Sequence, residues 1–172
     1  GSTLVAGTGN GGLTLSGTAG AGASSFGFQT ASSGILQGTG SGAIAVSGTA
    51  SLGGTNTTTA SGSVTYNGAV TLVTSPFAIT TNSSGSGANI AFNSTVDGAL
   101  APTLPPGVGS VTLAGAVGGP TPLPSLTSTA STGGFTLSGG AITTSGAVSL
   151  TGPVTLATNN LTITTTNSNI SF

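Results

Sequence analysis

The sequence has almost no ionisable side chains. Its 172 residues include no Lys, Arg, His, Cys, Met or Trp, and Asp97 is the single acidic residue. Binding to nucleic acid depends on Lys and Arg that neutralise phosphates, and attraction to anionic membrane surfaces depends on the same side chains. The composition therefore excludes electrostatic recruitment of either partner, and we expect no nucleic-acid binding.

Side chains for catalysis and metal binding are missing as well. Hydroxyl groups are abundant, but no His, Lys or Cys is present to activate one as a nucleophile, and one carboxylate cannot form a general acid–base pair. A hard cation takes about six or more oxygen ligands, so we interpret Asp97-Gly98 as a turn. The sequence predicts no enzymatic activity, no cofactor and no metal.

Membrane-spanning and signal segments are also missing. No apolar run reaches roughly 18 residues, so we expect no insertion into a membrane. The sequence lacks an initiator Met and a cationic signal segment, which indicates a part of a longer precursor.

A glycine-rich segment from Gly7 to Gly12 satisfies the G-x-G-x-x-G pattern of dinucleotide sites. Such a site needs a helix after the glycines and an acidic residue about 20 positions later. Here a predicted strand, Leu13 to Leu15, follows, and the first acidic residue is Asp97. The segment is therefore predicted to be a turn.

Short runs that alternate apolar with polar residues are the main pattern in the sequence. Leu13-Thr14-Leu15, Val70-Thr71-Leu72 and Leu161-Thr162-Ile163 alternate apolar with polar residues, which is the period of half-buried strands. The 33 Thr residues favour strands over helices, and Gly, Asn and Ser clusters such as Asn82 to Gly87 supply positive φ at corners. The sequence predicts an all-β fold.

An internal repeat divides the chain into two homologous units, residues 1–92 and 93–172. The words GAVTLVT and GPVTLAT place Val70 opposite Val154, and the final residue Phe172 aligns with Phe92. Phe172 is thus equivalent to the residue just before the second unit begins, which predicts that the C-terminus meets another N-terminus. We predict a head-to-tail contact through residues at both termini: Gly1, Ser2, Thr3, Leu4, Asn169, Ile170, Ser171 and Phe172.

The spacing of the strands favours one continuous parallel β-helix, or β-solenoid. About three strands fit into roughly 20 to 26 residues, which suits one coil, and uncharged side chains stack in register without repulsion. Proline clusters at Pro102 to Pro106 and Pro120 to Pro124 predict loops that leave the coil. The predicted aliphatic core includes Val70, Leu72, Ile79, Ile90, Val154, Leu156, Ile163 and Ile170.

The segments of the internal repeat contain the sequence words GAVTLVT (68–74), ANIAFNSTVDGA (88–99), GSVTLAGAVGG (109–119) with PLPSLT (122–127), and LTITTTNSNISF (161–172). They resemble the repetitive shafts of filamentous haemagglutinin-like proteins, which are large secreted bacterial surface proteins. The resemblance implies a right-handed parallel β-helix, an extracellular or cell-surface location, and an adhesive or fibre-forming role.

These observations predict a structural, non-catalytic segment of a bacterial surface fibre or adhesin. Its partners would be further copies or tandem units that stack end to end and bundle laterally, and a host or neighbouring cell surface. One alternative is a pilin-like β-sandwich that polymerises by donating the strand Leu161 to Phe172. A weaker alternative is an ice-binding or carbohydrate-binding β-solenoid.

Overall fold

The computed structural model describes residues 3–6, 11–18, 27–30, 35–38, 41–53, 56–59, 61–74, 77–81, 88–128 and 132–172. All regular elements in these ranges are β-strands. No helix in this part of the chain is long and apolar enough to span a membrane. The predicted all-β class is confirmed.

Each strand is short because the chain turns a corner every few residues. In chain order the strands are β1 Thr3–Ala6, β2 Leu13–Ser16, β3 Phe28–Gln29, β4 Ile35–Gly38, β5 Ile44–Ser47, β6 Ala50–Gly53, β7 Asn56–Thr59, β8 Val64–Tyr66, β9 Val70–Thr74, β10 Phe77–Thr81, β11 Ile90–Phe92, β12 Val96–Asp97, β13 Pro102–Thr103, β14 Val111–Leu113, β15 Leu126–Ser128, β16 Phe135–Leu137, β17 Ala141–Thr144, β18 Val148–Leu150, β19 Val154–Leu156, β20 Thr162–Thr165 and β21 Ile170–Ser171.

The strands form three faces of a parallel β-solenoid. The first sheet has the order β1-β4-β7-β10-β13-β15-β18-β21, and the second has the order β2-β5-β8-β11-β14-β16-β19. The third face contains β3-β6-β9-β12 and the pair β17-β20, which single bridges through Val117 connect. The chain visits the three faces in turn, and each such circuit is called a coil below.

Register between coils confirms the predicted spacing in the central part of the solenoid. In the second sheet Val64 pairs with Ile90, 26 residues later, and Val111 pairs with Phe135, 24 residues later. The first coil is longer, since Leu13 pairs with Ile44. All registered pairs between the described strands are parallel, as in Phe92 against Leu113. This overturns the β-sandwich alternative, because sandwiches are built mainly from antiparallel strands.

Alternating side chains of all three faces point inward and form one continuous core. Of the predicted core residues, Val70, Leu72, Ile79 and Ile90 are buried. The prediction is wrong for Leu156 and Ile170, which are exposed, and Val154 and Ile163 are only partly buried. These four belong to β19, β20 and β21, which are the outermost of the described strands on their faces.

Glycines at the corners between faces allow consecutive coils to approach closely. A Cβ added to Gly62 would lie 1.9 Å from the carbonyl oxygen of Gly42, and one added to Gly139 would lie 2.0 Å from that of Gly115. Positive φ, the reason predicted from the sequence, applies to Gly48 at +89° but not to Gly62. The predicted corner at Asn82 to Gly87 lies outside the described residues, as do Gly7 to Asn10.

The first proline cluster does not leave the coil, which corrects the sequence-based prediction. Pro102 begins β13 and pairs with Phe77 of β10, and the buried Leu104 continues the core. The first position of a strand tolerates a residue without an N–H group. In the second cluster Thr121 and its proline neighbours are exposed, whereas Leu123 returns to the core.

The division into two units remains a prediction. The aligned residues Val70 and Val154 lie on different faces, because β9 belongs to the third face and β19 to the second sheet. The repeat that register shows directly is therefore the single coil.

Candidate assembly interface

The C-terminal end of the solenoid exposes its own core. Leu137 of β16 is fully buried, and it pairs with Leu156 of β19, the next side chain in the same inward column. Leu156 is 60% exposed, since none of the described strands lies beyond β19 in the second sheet. On the first face, Val148 is fully buried, whereas its partner Ile170 is 43% exposed. In both columns an aliphatic side chain is thus buried in one coil, and its partner in the next coil is exposed to solvent.

Leu156 and other apolar side chains at this end line one concavity. It encloses about 420 Å³, and five of its lining residues are apolar side chains beside Gly152: Val154, Leu156, Leu161, Ile163 and Phe172. Phe172 is 63% exposed at its rim. Exposed apolar patches of this kind mark contact surfaces in soluble proteins.

Backbone groups at this end are also available for pairing. In the described part of the chain, β19, β20 and β21 each have a strand partner on one side only, namely β16, β17 and β18. The outer side of each strand therefore presents a row of N–H and C=O groups, which is a template for another strand.

The N-terminal end has matching properties. Among the described strands, β1, β2 and β3 are the outermost of their faces. The inward residues Leu13 and Leu15 of β2 and Phe28 of β3 are only partly buried and pack on one side against the core. Both ends thus combine open strand edges with apolar inward side chains.

The residues predicted for a head-to-tail contact are found at these two ends, with exceptions. Asn169 to Phe172 are exposed at the C-terminal end, and Thr3 and Leu4 lie in the outermost strand β1. Gly1 and Ser2 lie outside the described residues. Whether they make such a contact stays a prediction.

Sequence reasoning missed the larger part of this surface. Val154, Leu156 and Ile163 were assigned to the core, because alternation marks an inward side chain without showing whether another coil follows. No signal in the alternation separates these residues from buried ones, since Val70 and Leu72 have the same pattern and are buried.

The two ionisable side chains of the chain, Tyr66 and Asp97, both make contacts between coils of the solenoid. Tyr66 stacks on Phe92 of the next coil with ring centroids 5.3 Å apart, and its hydroxyl group hydrogen-bonds to that of Thr57 at 2.9 Å. Burial raises the pKa of Tyr66 to about 12, against the opposing effect of the hydrogen bond with Thr57.

Asp97 fixes a loop of the following coil. Its Oδ1 atom accepts a hydrogen bond of 2.9 Å from the backbone N–H of Thr121. Asp97 is the last residue of β12, so the predicted turn begins only at Gly98, which bends the chain with φ of +119°. No cluster of metal-ligating side chains occurs within the described ranges.

Comparisons with family models, curated proteins and solved structures found no match to this chain. The function is therefore argued from the geometry of the solenoid and its ends.

Proposed function

We propose that this chain is a structural, non-catalytic segment of an extracellular bacterial surface fibre or adhesin, in which solenoids stack end to end. The observation that carries the proposal is the C-terminal end of the solenoid, where Leu156 and Phe172 are more than half exposed beside three strands whose outer edges pair with no described strand. The resemblance of the sequence to haemagglutinin-like shafts supports the extracellular location and the fibre.

Covering this end would be favourable on physical grounds. Full burial of a Leu, Ile or Phe side chain contributes roughly 1.5–3 kcal/mol, and Leu156, Ile170 and Phe172 are all exposed. Strand pairing at the same place would satisfy the open backbone groups. An end-to-end contact gains both contributions at one surface.

Lateral bundling is the second part of the proposal. In the second sheet the outward residues Thr112, Thr136 and Thr155 stand in register on successive coils. The formal net charge of the chain is −1, so neighbouring rods do not repel each other as charged proteins do.

The end-to-end contact is tested by sedimentation velocity over a range of protein concentrations. We expect the unmodified chain to form linear oligomers and Leu156→Ser to weaken association by about 10- to 100-fold, from the lost burial of one Leu. The matched control is Val73→Ser, since Val73 is 48% exposed on the side of the rod. If Val73→Ser disrupts the oligomers and Leu156→Ser does not, assembly is lateral and the end-to-end proposal is wrong.

A further inference from the structure

Asn67 and Gly68 form a corner of the solenoid between β8 and β9. The side chain of Asn67 is exposed, and the main-chain N–H group of this residue donates a hydrogen bond of 2.8 Å to the carbonyl oxygen of Val46. The N–H group of Gly68, in contrast, donates to no described residue. The corner thus places an exposed side-chain amide directly before a main-chain nitrogen that the ladders do not hold.

These two groups have the chemistry of an intramolecular reaction. When solvent base removes the proton of the Gly68 N–H group, the nitrogen can attack Cγ of Asn67, and the attack is intramolecular because the residues are consecutive. The new N–Cγ bond closes a succinimide ring, the Cγ–Nδ2 bond breaks, and Nδ2 leaves as ammonia. Water then opens the ring at one of its two carbonyl groups, which yields aspartate or isoaspartate.

We propose that Asn67 is a site of spontaneous deamidation in the folded protein. Water is the only reactant besides the chain, and ammonia is released, so the reaction needs no enzyme. Asp97 is the single acidic residue of the sequence, and the reaction gives the solenoid a second carboxylate. The inference is independent of the proposed assembly, because β8 and β9 are both paired on two sides within the chain.

The stacking of the coils requires a glycine after Asn67. A Cβ added to Gly68 would lie 1.9 Å from the carbonyl oxygen of Gly48 in the preceding coil. Glycine is also the residue that hinders ring closure least, because it has no side chain beside the attacking nitrogen and its main chain adopts many conformations. The close approach of the coils therefore keeps a reactive successor next to Asn67. Asn10 also precedes a glycine, but it lies outside the described residues.

Asn93 is the equivalent residue one coil later and provides an internal comparison. The preceding residues Tyr66 and Phe92 are partners in the second sheet, and the Asn93 N–H group donates to the Tyr66 carbonyl oxygen at 2.8 Å. Asn93 is exposed as well. It is followed by Ser94, whose Cβ crowds the attacking nitrogen. We therefore expect deamidation at Asn67 to be faster than at Asn93.

The two products differ in their effect on the corner. The Nδ2 atom of Asn93 donates a hydrogen bond of 2.8 Å to Oδ1 of Asn67, and an aspartate carboxylate can accept the same bond. In isoaspartate the main chain runs through Cβ and Cγ and is longer by one atom. Because Gly68 has no space for even a methyl group beside Gly48, isoaspartate should disturb the stacking of these coils.

Peptide mapping by mass spectrometry measures the reaction. The full chain is incubated at mildly alkaline pH, samples are withdrawn over several weeks, and the mass increase of each Asn-containing peptide is recorded. The sequence has no Lys or Arg for trypsin, so pepsin is used at acid pH, where the reaction is slow. We expect conversion at Asn67 to be at least several-fold faster than at Asn93. Equal rates, or a faster rate at Asn93, would overturn the proposal.

Two further samples test whether the corner is responsible. If the chain is converted at Asn67 only after unfolding in urea, the fold protects this residue and the proposal is wrong. In the Ser94→Gly variant, Asn93 gains the same successor as Asn67, and its conversion should become several-fold faster than in the unmodified chain. An unchanged rate at Asn93 in this variant would show that the residue after Asn does not control the reaction, which also contradicts the proposal.

Discussion

At the residue scale, Gly62 shows why the sequence is rich in glycine. Its Cα faces the backbone of the preceding coil, and a Cβ would lie 1.9 Å from the Gly42 carbonyl oxygen. We expect Gly62→Ala to lower the free energy of unfolding by about 1–3 kcal/mol or more, because the coils must separate to admit the methyl group. Thermal or urea denaturation measures this loss.

Gly140 is the matched control for Gly62. An added Cβ there has no neighbour within 4 Å, so Gly140→Ala should change stability by less than about 1 kcal/mol. Equal losses for the two variants would contradict the close approach of the coils.

Ionisation of the buried Tyr66 side chain should lower the stability of the folded protein at alkaline pH. The unfolded chain releases the phenol proton near the ordinary pKa of 10.0, whereas the folded chain holds it up to about 12. The folded state therefore binds more protons in this window, and its stability falls as pH rises from about 10 to 12. The loss should reach roughly 2–3 kcal/mol.

Urea denaturation across this pH range checks the effect. The chain has one Tyr and no Lys, Arg or Cys, so no other side chain titrates in this window. Tyr66→Phe should lose the stability of the Thr57 hydrogen bond at every pH but should not weaken further at alkaline pH. A Tyr66→Phe curve that falls as steeply as that of the unmodified chain would refute this account.

At the element scale, consecutive strands of one column should respond differently to the same substitution. Leu137 is fully buried and Leu156, its partner in the next coil, is 60% exposed. In dilute monomer we expect Leu137→Ala to cost about 2–5 kcal/mol and Leu156→Ala to cost less than about 1 kcal/mol. Denaturant titration of both variants at low concentration provides the comparison, and similar losses would mean that the end is already covered.

The strands themselves could be predicted from the sequence, and their surroundings could not. Val70-Thr71-Leu72 and Val154-Thr155-Leu156 have the same alternation, and both form strands. Alternation determines which side chains point inward, but it is identical on every face, so it did not show that one strand lies on the third face and the other in the second sheet. It also did not reveal the open end, because burial of Leu156 depends on a coil that would have to follow.

The roles of proline and glycine could be predicted only in part, for a related physical reason. Pro102 was assigned to a loop because it cannot donate a ladder hydrogen bond, yet it fits as the first residue of β13. Glycine clusters were assigned to corners through positive φ, whereas the role of Gly62 is a close approach to Gly42 in another coil. Both roles depend on neighbours more than ten positions away in sequence.

At the scale of the whole molecule, the near absence of charge sets the conditions for assembly. With no Lys or Arg and a single Asp, association through the ends relies on apolar burial and backbone pairing, which salt does not screen. We expect oligomer size to stay constant or rise slightly from low to high ionic strength. Light scattering across a salt series measures this, and dissociation at high salt would show that electrostatic contacts hold the assembly.

The central claim is that the solenoid continues from one copy to the next. Electron microscopy of assembled protein at near-atomic resolution tests it most directly. The account predicts single rods in which strands lie across the axis with an unbroken rise of about 4.8 Å through every junction. Rods that show a gap or a lateral offset at each junction, or particles joined only side by side, would contradict it.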